Sequence, residues 1–402
     1  MCDGAADWPI LDLDNKTILE TANIPTLHWL ASHGKMGLFK TIPDSMKPGS
    51  EVANMNIMGY NPETDLTGRG PLEALSAGVP MESYHLAFRC NLITIENGII
   101  KDYSSGHITS EESRPLIEYI QSQFHEPGVD FYPGVQYRHI LRLDGARFSE
   151  DIICTPPHDV IDQPFSNYLI RPKNPSDEKA VKTANFLNDL IEKSKDLLTA
   201  HPINQKRKAE GKRMATNIWI WGGGKRPNVV PFKQKFGLSG GVISAVDLIF
   251  GLGAAVGLRP IHVEGATGLL DSNFEGKIGA AIEELKKNDF VYVHVEAPDE
   301  MGHSGDCYRK IEAMEIFDSR VVKPILEAES LFNDELVVCV LPDHPTPCEL
   351  RTHSREPIPF VIYNPKSSKS AGFNRLFCEK SGEQGEYGLI TSGEQLINLM
   401  KS

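Results

Sequence analysis

Apolar positions along this chain recur with two different periods. Short β-branched or apolar runs bounded by polar and turn residues predict buried strands: DFVYVHVEA (289–297), ELVVCVLPD (335–343) and FVIYN (360–364). Between and around them, KIGAAIEELKKND (277–289) and YRKIEAMEIFDSRVVKPILEAES (308–330) repeat apolar residues at three-to-four spacing with charges between, the pattern of amphipathic helices. Strand and helix alternating in this way predict an α/β fold with a mainly parallel sheet flanked by helices. The longest apolar stretch, GGVISAVDLIFGLGAAVGL (240–258), carries Asp247 and five glycines and reads as a buried helix rather than a membrane span.

The middle of the chain has a different rhythm. Hairpin-like alternation in LAFRCNLITIENGIIKDY, with Asn-Gly as its turn signal, is followed by a long charged helix ending in NQKRKAEGKR. A smaller inserted α/β domain is therefore expected over 85–215, inside a discontinuous catalytic domain built from 1–84 and 216–402. At 402 residues the chain exceeds what one simple core usually holds, which fits two domains.

Charge narrows the partners. With 54 acidic and 41 basic residues the net charge is -13, which argues against non-specific nucleic-acid binding and against attraction to anionic membranes. An anionic ligand would need locally concentrated positive charge. Seven cysteines show no CxxC pair, so reduced thiols in a cytoplasmic setting fit better than disulfides or a structural zinc site. The first residues have no basic stretch followed by an apolar one, so no secretory signal is read there.

Three segments carry candidate chemistry. DEMGH (299–303) follows the apolar run VYVHVEA and sets Asp299 and His303 one helical turn apart, where both can reach one metal; a surface ion pair or helix cap would give the same pattern. DHPTPCELRTHSREPIPF (343–360) places Asp343, His344 and His353 in a Pro-rich loop after another apolar run. Neighbours within a strand point to opposite faces, so Asp343 and His344 can share a site only where the strand has ended, as Pro342 suggests. In PGSEVANMNIMGY (48–60), Ser50 falls at a helix N-terminus, as an ordinary N-cap or as a nucleophile beside helix N–H groups that favour a phosphate.

Asp-Gly near the start, Gly-Ser, Asp-x-x-x-His, Asp-His and a further His occur in that order. The set resembles the alkaline phosphatase superfamily. SEVANMNIMGY, TGRGPLEA, AFRCNL and VHVEAPDEMGHSGD are similar to its cofactor-independent phosphoglycerate mutases of the archaeal type, a likeness that spans nearly the whole chain and weakens from about 165 to 215. The resemblance implies an alkaline-phosphatase-like catalytic domain with two divalent metal ions. One would be held by Asp299, His303 and His353, the other by Asp3, Ser50, Asp343 and His344. Mixed carboxylate and imidazole ligands suit Mn²⁺ or Zn²⁺, with Mg²⁺ a further candidate. Substrate contacts are expected from Asn54, Arg69, Arg89, Arg138, His158 and Lys235, each of which could equally be a surface group. His28, His33, His85 and His125 have no supporting motif and are read as structural.

The implied reaction moves a phosphoryl group between the 2- and 3-hydroxyls of glycerate through phospho-Ser50, with the inserted domain closing over the intermediate to exclude water. The partner is then a small phosphorylated carboxylate. Three rivals stand beside it: a subgroup of similar proteins proposed as homoserine kinases, a plain metal-dependent phosphatase, and a non-enzymatic binding protein. A kinase needs a nucleotide site, yet WGGGKRP (221–227) is neither a GxxxxGK[ST] loop nor a GxGxxG turn. A metal-binding Asp-Gly normally follows a hydrophobic strand, whereas Asp3 has two residues before it, so a strand upstream of the given start is expected.

Overall fold

The computed structural model describes residues 1–333, 335–366 and 375–402. Followed from its start, the chain enters β1 (Lys35–Phe39) in a first unit, then crosses into a second unit for β2 (His85–Glu96), β3 (Ile99–Asp102), β4 (Val129–Val135) and β5 (Arg138–Asp144). A short pair, β6 (Ile152–Ile153) and β7 (Arg171–Pro172), precedes β8 (Asn217–Lys225). The chain then returns for β9 (Gly240–Ile243), β10 (Arg259–Ile261), β11 (Phe290–Val293), β12 (Val338–Val340), β13 (Ile358–Tyr363) and β14 (Leu389–Ile390). The first unit comprises Met1–Leu66 and Val229–Ser402, the second Thr67–Asn228.

The second unit starts before residue 85 and ends beyond residue 215 for a physical reason. β8 pairs antiparallel along β2 from Ile93 back to Leu86, and the helix Arg69–Ser76 packs on both strands. Both flanking segments therefore belong with the sheet they complete. β2 also pairs antiparallel with β3 and β5, and β5 with β4. Asn97 and Gly98 close the β2–β3 hairpin with φ of 50° and 78°, the left-handed pair that a two-residue turn requires. The charged helix predicted after this sheet breaks at His201, whose ring caps the next helix at Pro202.

In the first unit, β10, β9 and β11 form a parallel sheet. A second sheet has the order β12-β13-β1-β14, with β13 antiparallel to both neighbours and β14 parallel to β1. The stretch 240–258 is not one buried helix: its first four residues are β9, and the helix Asp247–Ala255 follows. Val242 and Ile243 are β-branched and fully buried between two strands, so pairing overrides the helical reading. The helical pattern of 308–330 loosens into a π turn at Asp318–Val322 ahead of Pro324, which has no N–H to donate. Buried Asp318 accepts the Thr26 and Leu27 N–H groups at 3.1 and 2.7 Å, which fixes the helix Pro25–His33 against this turn. Among the described residues no helix is long and apolar enough to cross a membrane.

Strand ends place the chemistry. β11 leads into the helix Ala297–Ser304, and β12 into the loop that begins at Leu341. Between them, Cys2 N–H donates to Leu341 O at 3.0 Å and Asp3 N–H to Val295 O at 2.8 Å. Met1–Asp3 thus lie in register between the two segments, with an isolated parallel bridge from Cys2 to Val295, which carries Asp3 toward both. Fully buried Lys310 ties the next turn down, donating to Asp7 Oδ2 at 2.8 Å and to the carbonyls of Ala6 (3.1 Å) and Thr346 (2.8 Å). Removing one member of a buried ion pair leaves its partner uncompensated. Lys310→Met is therefore expected to cost about 3–5 kcal/mol in denaturant unfolding, and a loss below about 1 kcal/mol would contradict this role.

Candidate metal centre and anion-binding cluster

Asp299 and His303 sit one turn apart at the start of the helix Ala297–Ser304 and meet His353 from the loop after β12. His303 Nε2 lies 3.1 Å from Asp299 Oδ2 and 3.0 Å from His353 Nε2, and His353 Nε2 lies 3.5 Å from Asp299 Oδ1. Two imidazole nitrogens and a carboxylate converge there. His303 Nδ1 faces the Arg351 carbonyl at 3.1 Å, which orients the ring so that Nε2 points inward. Thr346 donates to Asp299 Oδ1 at 2.5 Å.

A second group gathers beside the first. β12 ends at Val340, so Asp343 and His344 are off the strand and can turn to the same side, with His344 Nε2 3.3 Å from Asp343 Oδ2 and 3.7 Å from Asp3 Oδ1. Asp343 Oδ1 accepts the N–H groups of Gly4 (3.0 Å) and His344 (2.9 Å), and Oδ2 accepts from Asn54 at 2.8 Å. Asp3, Asp343 and His344 form one candidate metal-holding set and Asp299, His344 and His353 another, with His344 common to both. Gly4 is obligatory on two grounds. Its φ is +60°, and a Cβ would come within 2.5 Å of Asp299 Oδ1 and 2.6 Å of Thr346 Oγ1.

Ser50 opens the helix Ser50–Ile57, but Gly49 holds the cap position and no side chain caps the helix. The hydroxyl turns instead to His344 Nε2, 3.2 Å away. The ordinary N-cap reading of this serine therefore does not describe it.

The residues fit divalent cations. Asp3 Oδ1 is buried with no hydrogen-bond partner, which is costly for a carboxylate unless a cation completes it. Burial, reinforced by Asp343 and Asp299, pushes the Asp3 carboxyl well above its ordinary range. Burial also opposes ionisation of Asp299, but hydrogen bonds from His303 and His353 outweigh it and hold this carboxyl below the usual range. His303 is raised to about 9, first by its hydrogen bond to Asp299. His344 is lowered by burial, which suits a neutral ligand imidazole.

The second unit holds a separate cluster. Along β2, Phe88, Cys90 and Leu92 point into the core, so Arg89 and Asn91 occupy the opposite face. Arg89 pairs across to Trp221 on β8 and stacks on its ring, 4.2 Å from the centroid. Glu73 reaches Arg89 Nε at 2.9 Å and Arg69 Nε at 3.1 Å, yet Arg89 Nε has no well-aligned acceptor. His158 packs edge-on against the same Trp221, at 5.4 Å between rings. Burial lowers Arg89 to about 10, and of its neighbours Glu73 opposes this while Arg69 and Arg138 add to it. The fold thus gathers four of the expected cationic or imidazole groups on one face: Arg69, Arg89, Arg138 and His158.

With both clusters in view, the chain can be compared with known proteins. The family described as 2,3-bisphosphoglycerate-independent phosphoglycerate mutase matches residues 31–204. A protein of that name from Methanosarcina barkeri is 46% identical over 400 residues, covering 100% of this chain and 98% of its own. This chain belongs to that family. A Methanosarcina mazei relative of the same name is 47% identical over the same shares. Among solved structures, the cofactor-independent phosphoglycerate mutase of Thermoplasma acidophilum superposes with a TM-score of 0.70 at 27% identity, covering 100% of this chain and 97% of the other. A Pyrococcus horikoshii protein gives 0.82 at 30% identity, covering 100% and 94%.

Two of the expected substrate contacts have protein partners in this structure. Asn54 is fully buried and spends its amide protons on Ser50 O (2.9 Å) and Asp343 Oδ2, while Tyr292 donates to its oxygen at 2.5 Å. It holds Ser50 and Asp343 in register. Lys235 stands in the first unit, bound to Gly59 O at 2.7 Å and Glu394 at 3.1 Å, over the Tyr60 ring. Its partners include no residue of the metal centre. Sequence reasoning also missed His294, whose Nε2 lies 2.9 Å from Asp3 Oδ2 and whose Nδ1 meets Ser244 at 3.1 Å. A histidine inside the apolar run VYVHVEA was the available signal, since such a polar group must find buried partners. Thr346 and Tyr292 gave no comparable signal.

A cation held by Asp299, His303 and His353 would have to displace the proton that Asp299 favours on His303. Mn²⁺ affinity is therefore expected to weaken by about tenfold per pH unit as the pH falls from about 8 to about 6. Titration calorimetry in buffers of different ionisation heat should show proton release, and an affinity independent of pH would contradict the geometry.

Proposed function

We propose that this chain interconverts 3-phosphoglycerate and 2-phosphoglycerate without bisphosphoglycerate, with Ser50 as the group that carries the phosphoryl in transit. The observation that carries this reading is the Ser50 hydroxyl. It is released from helix capping and aimed at the imidazole shared by the two ligand sets. A family whose members bear this activity in their names supports the overall reaction.

In this reading Asp299, His303 and His353 hold one divalent ion, and Asp3, Asp343, His344 and Ser50 hold the other. Mn²⁺ or Zn²⁺ is proposed ahead of Mg²⁺ because imidazoles make up part of each set. Bound there, the ions neutralise phosphoryl oxygens and lower the serine hydroxyl's pKa. Ser50 Oγ attacks phosphorus as the bond to the departing glycerate oxygen breaks, and the proton lost by the serine is balanced by one gained at that oxygen. The other glycerate hydroxyl then attacks phospho-Ser50, and the same exchange runs in reverse. Asn54 keeps Ser50 and Asp343 at fixed separation through both steps. The helix N-terminus at Ser50 adds N–H groups that favour the phosphoryl charge.

Recognition of the anionic substrate is assigned to the arginine face of the second unit. Arg89 is held by stacking on Trp221 and by its ion pair with Glu73, and a guanidinium so fixed can grip a carboxylate or phosphate through its terminal N–H groups. Seven unpaired cysteines fit a reducing compartment, so the cytoplasm is the proposed location.

The kinase alternative loses its best nucleotide candidate. Gly222–Gly224 lie within β8, paired to β2, and a Cβ on Gly223 would come within 2.0 Å of the Phe88 ring. Close packing accounts for the glycines without a phosphate loop. Purified protein with Mn²⁺ should convert 3-phosphoglycerate to 2-phosphoglycerate with no added bisphosphoglycerate. ATP-dependent phosphorylation of homoserine in place of that conversion would move the assignment to a kinase. Ser50→Ala is expected to abolish both turnover and phosphoprotein; a variant that kept most of its activity would sink the covalent mechanism.

A further inference from the structure

Close packing explains the glycines of WGGGKRP but not the tryptophan that precedes them. β8 is irregular at this point. Ala87 pairs with Gly224 and Arg89 with Trp221, so Phe88 alone on β2 faces Gly222 and Gly223 together on β8. Two residues against one make a β-bulge, and Gly222 has the left-handed φ of +63° that such a bulge assigns to glycine. A bulge bends its strand and re-aims the side chain beside it. Here that side chain is Trp221.

Trp221 stands directly opposite Arg89 on the same face of the sheet, with the guanidinium carbon 4.2 Å from its ring centroid. Among the described residues it is the one tryptophan of four with a cation over its ring. Asn91, the diagonal neighbour on β2, accepts the indole N–H at 3.2 Å. Both side chains are buried, so this bond fixes the plane of the indole. Arg89 is therefore held on two sides: Glu73 takes its Nε edge at 2.9 Å, and the indole covers one flat face. Its terminal N–H groups meet no acceptor among the described residues. Glu73 also serves Arg69, at 3.1 Å. Arg138, across β2 from Asn91, has no carboxylate partner among the described residues and lies 5.7 Å from the Tyr137 ring. Guanidinium groups outnumber carboxylates in these pairings, which favours an anion on this face.

We propose that Trp221 is a positioning residue for anion recognition: aimed by the Gly222 bulge and locked by Asn91, its ring holds Arg89 with the terminal N–H groups ready for phosphoglycerate. An unrestrained arginine loses rotamer freedom when it grips an anion, and the indole removes that freedom in advance. Substrate and transition state profit equally from a pre-set arginine, so the effect falls on KM and leaves kcat in place. The inference rests on the recognition role proposed above for this arginine face, and adds to it the residue that sets the geometry.

Trp221→Phe keeps an aromatic face and Trp221→Leu does not, which separates this role from simple packing. In the full chain with Mn²⁺, Trp221→Leu is expected to raise KM for 3-phosphoglycerate about tenfold with kcat within about twofold, and Trp221→Phe to recover most of the loss. The calorimetric Kd for 3-phosphoglycerate should shift in parallel. Should Trp221→Leu fail to fold, biosynthetic replacement of tryptophan by a fluorinated analogue weakens the ring's negative face at nearly constant shape; KM and Kd should then rise about threefold with Tm unchanged. In an Arg89→Met background, Trp221→Leu should add less than about twofold, because it acts through Arg89. The proposal is overturned if Phe and Leu act alike on KM and Kd, if the loss falls on kcat alone, or if it persists undiminished without Arg89. Failure of the mutase reading looks different: the Kd shifts appear as stated, which upholds the role of Trp221, while no 2-phosphoglycerate forms. A wild-type chain that binds no 3-phosphoglycerate would overturn both.

Discussion

Three carboxylates in one buried place set the terms for the rest of this structure. Asp3, Asp299 and Asp343 are almost wholly removed from water, and their neighbours include one another. Each ion taken from water costs several kcal/mol even after relaxation, and like charges nearby raise that cost. Either a proton on one carboxyl or added positive charge resolves the conflict. Histidine supplies part of it around Asp299, but Asp3 Oδ1 is buried with no hydrogen-bond partner and has His344 Nε2 no nearer than 3.7 Å. Divalent cations answer both needs, and the arrangement makes sense as a site whose folding and whose loading are coupled.

The scaffold explains how such a cluster is tolerated. The three carboxylates come from three different stretches of chain, each just beyond a strand or strand end in the first unit, where an open α/β sheet places its polar chemistry. Outer groups then hold each one: His294 on Asp3, Thr346 on Asp299, Asn54 with Gly4 on Asp343. Asn54 is in turn held by Tyr292, and Lys310 fastens the Ala6–Asp7 turn to the Thr346 loop. Such second contacts fix the geometry of ligands that would otherwise repel one another.

Much of this was legible in the sequence because the informative residues sit in short, ordered motifs. Asp299 and His303 are spaced by one helical turn, and Pro342 marks the strand end that lets Asp343 and His344 turn together. The alternation of periods gave the α/β class, and Asn97-Gly98 gave the hairpin. What escaped depends on contacts between distant residues. Nothing local told that 240–243 would be strand, since the neighbours that make it one lie at 259–261 and 290–293. The bonds that hold Asn54 were not legible because Tyr292 and Asp343 are each more than two hundred residues away. Lys235 looked available because its acceptors, Gly59 and Glu394, are remote in sequence. The bounds of the second unit, Thr67–Asn228, follow from the pairing of β8 with β2, which no local pattern announces.

The central claim is that this carboxylate cluster exists to hold two divalent ions. Crystals soaked in Mn²⁺ and measured at the manganese absorption edge test it directly. Two anomalous peaks are predicted, one among Asp299, His303 and His353 and one among Asp3, Ser50, Asp343 and His344. Absence of any peak in this cluster at saturating Mn²⁺, or peaks only at other carboxylates of the surface, would contradict the account.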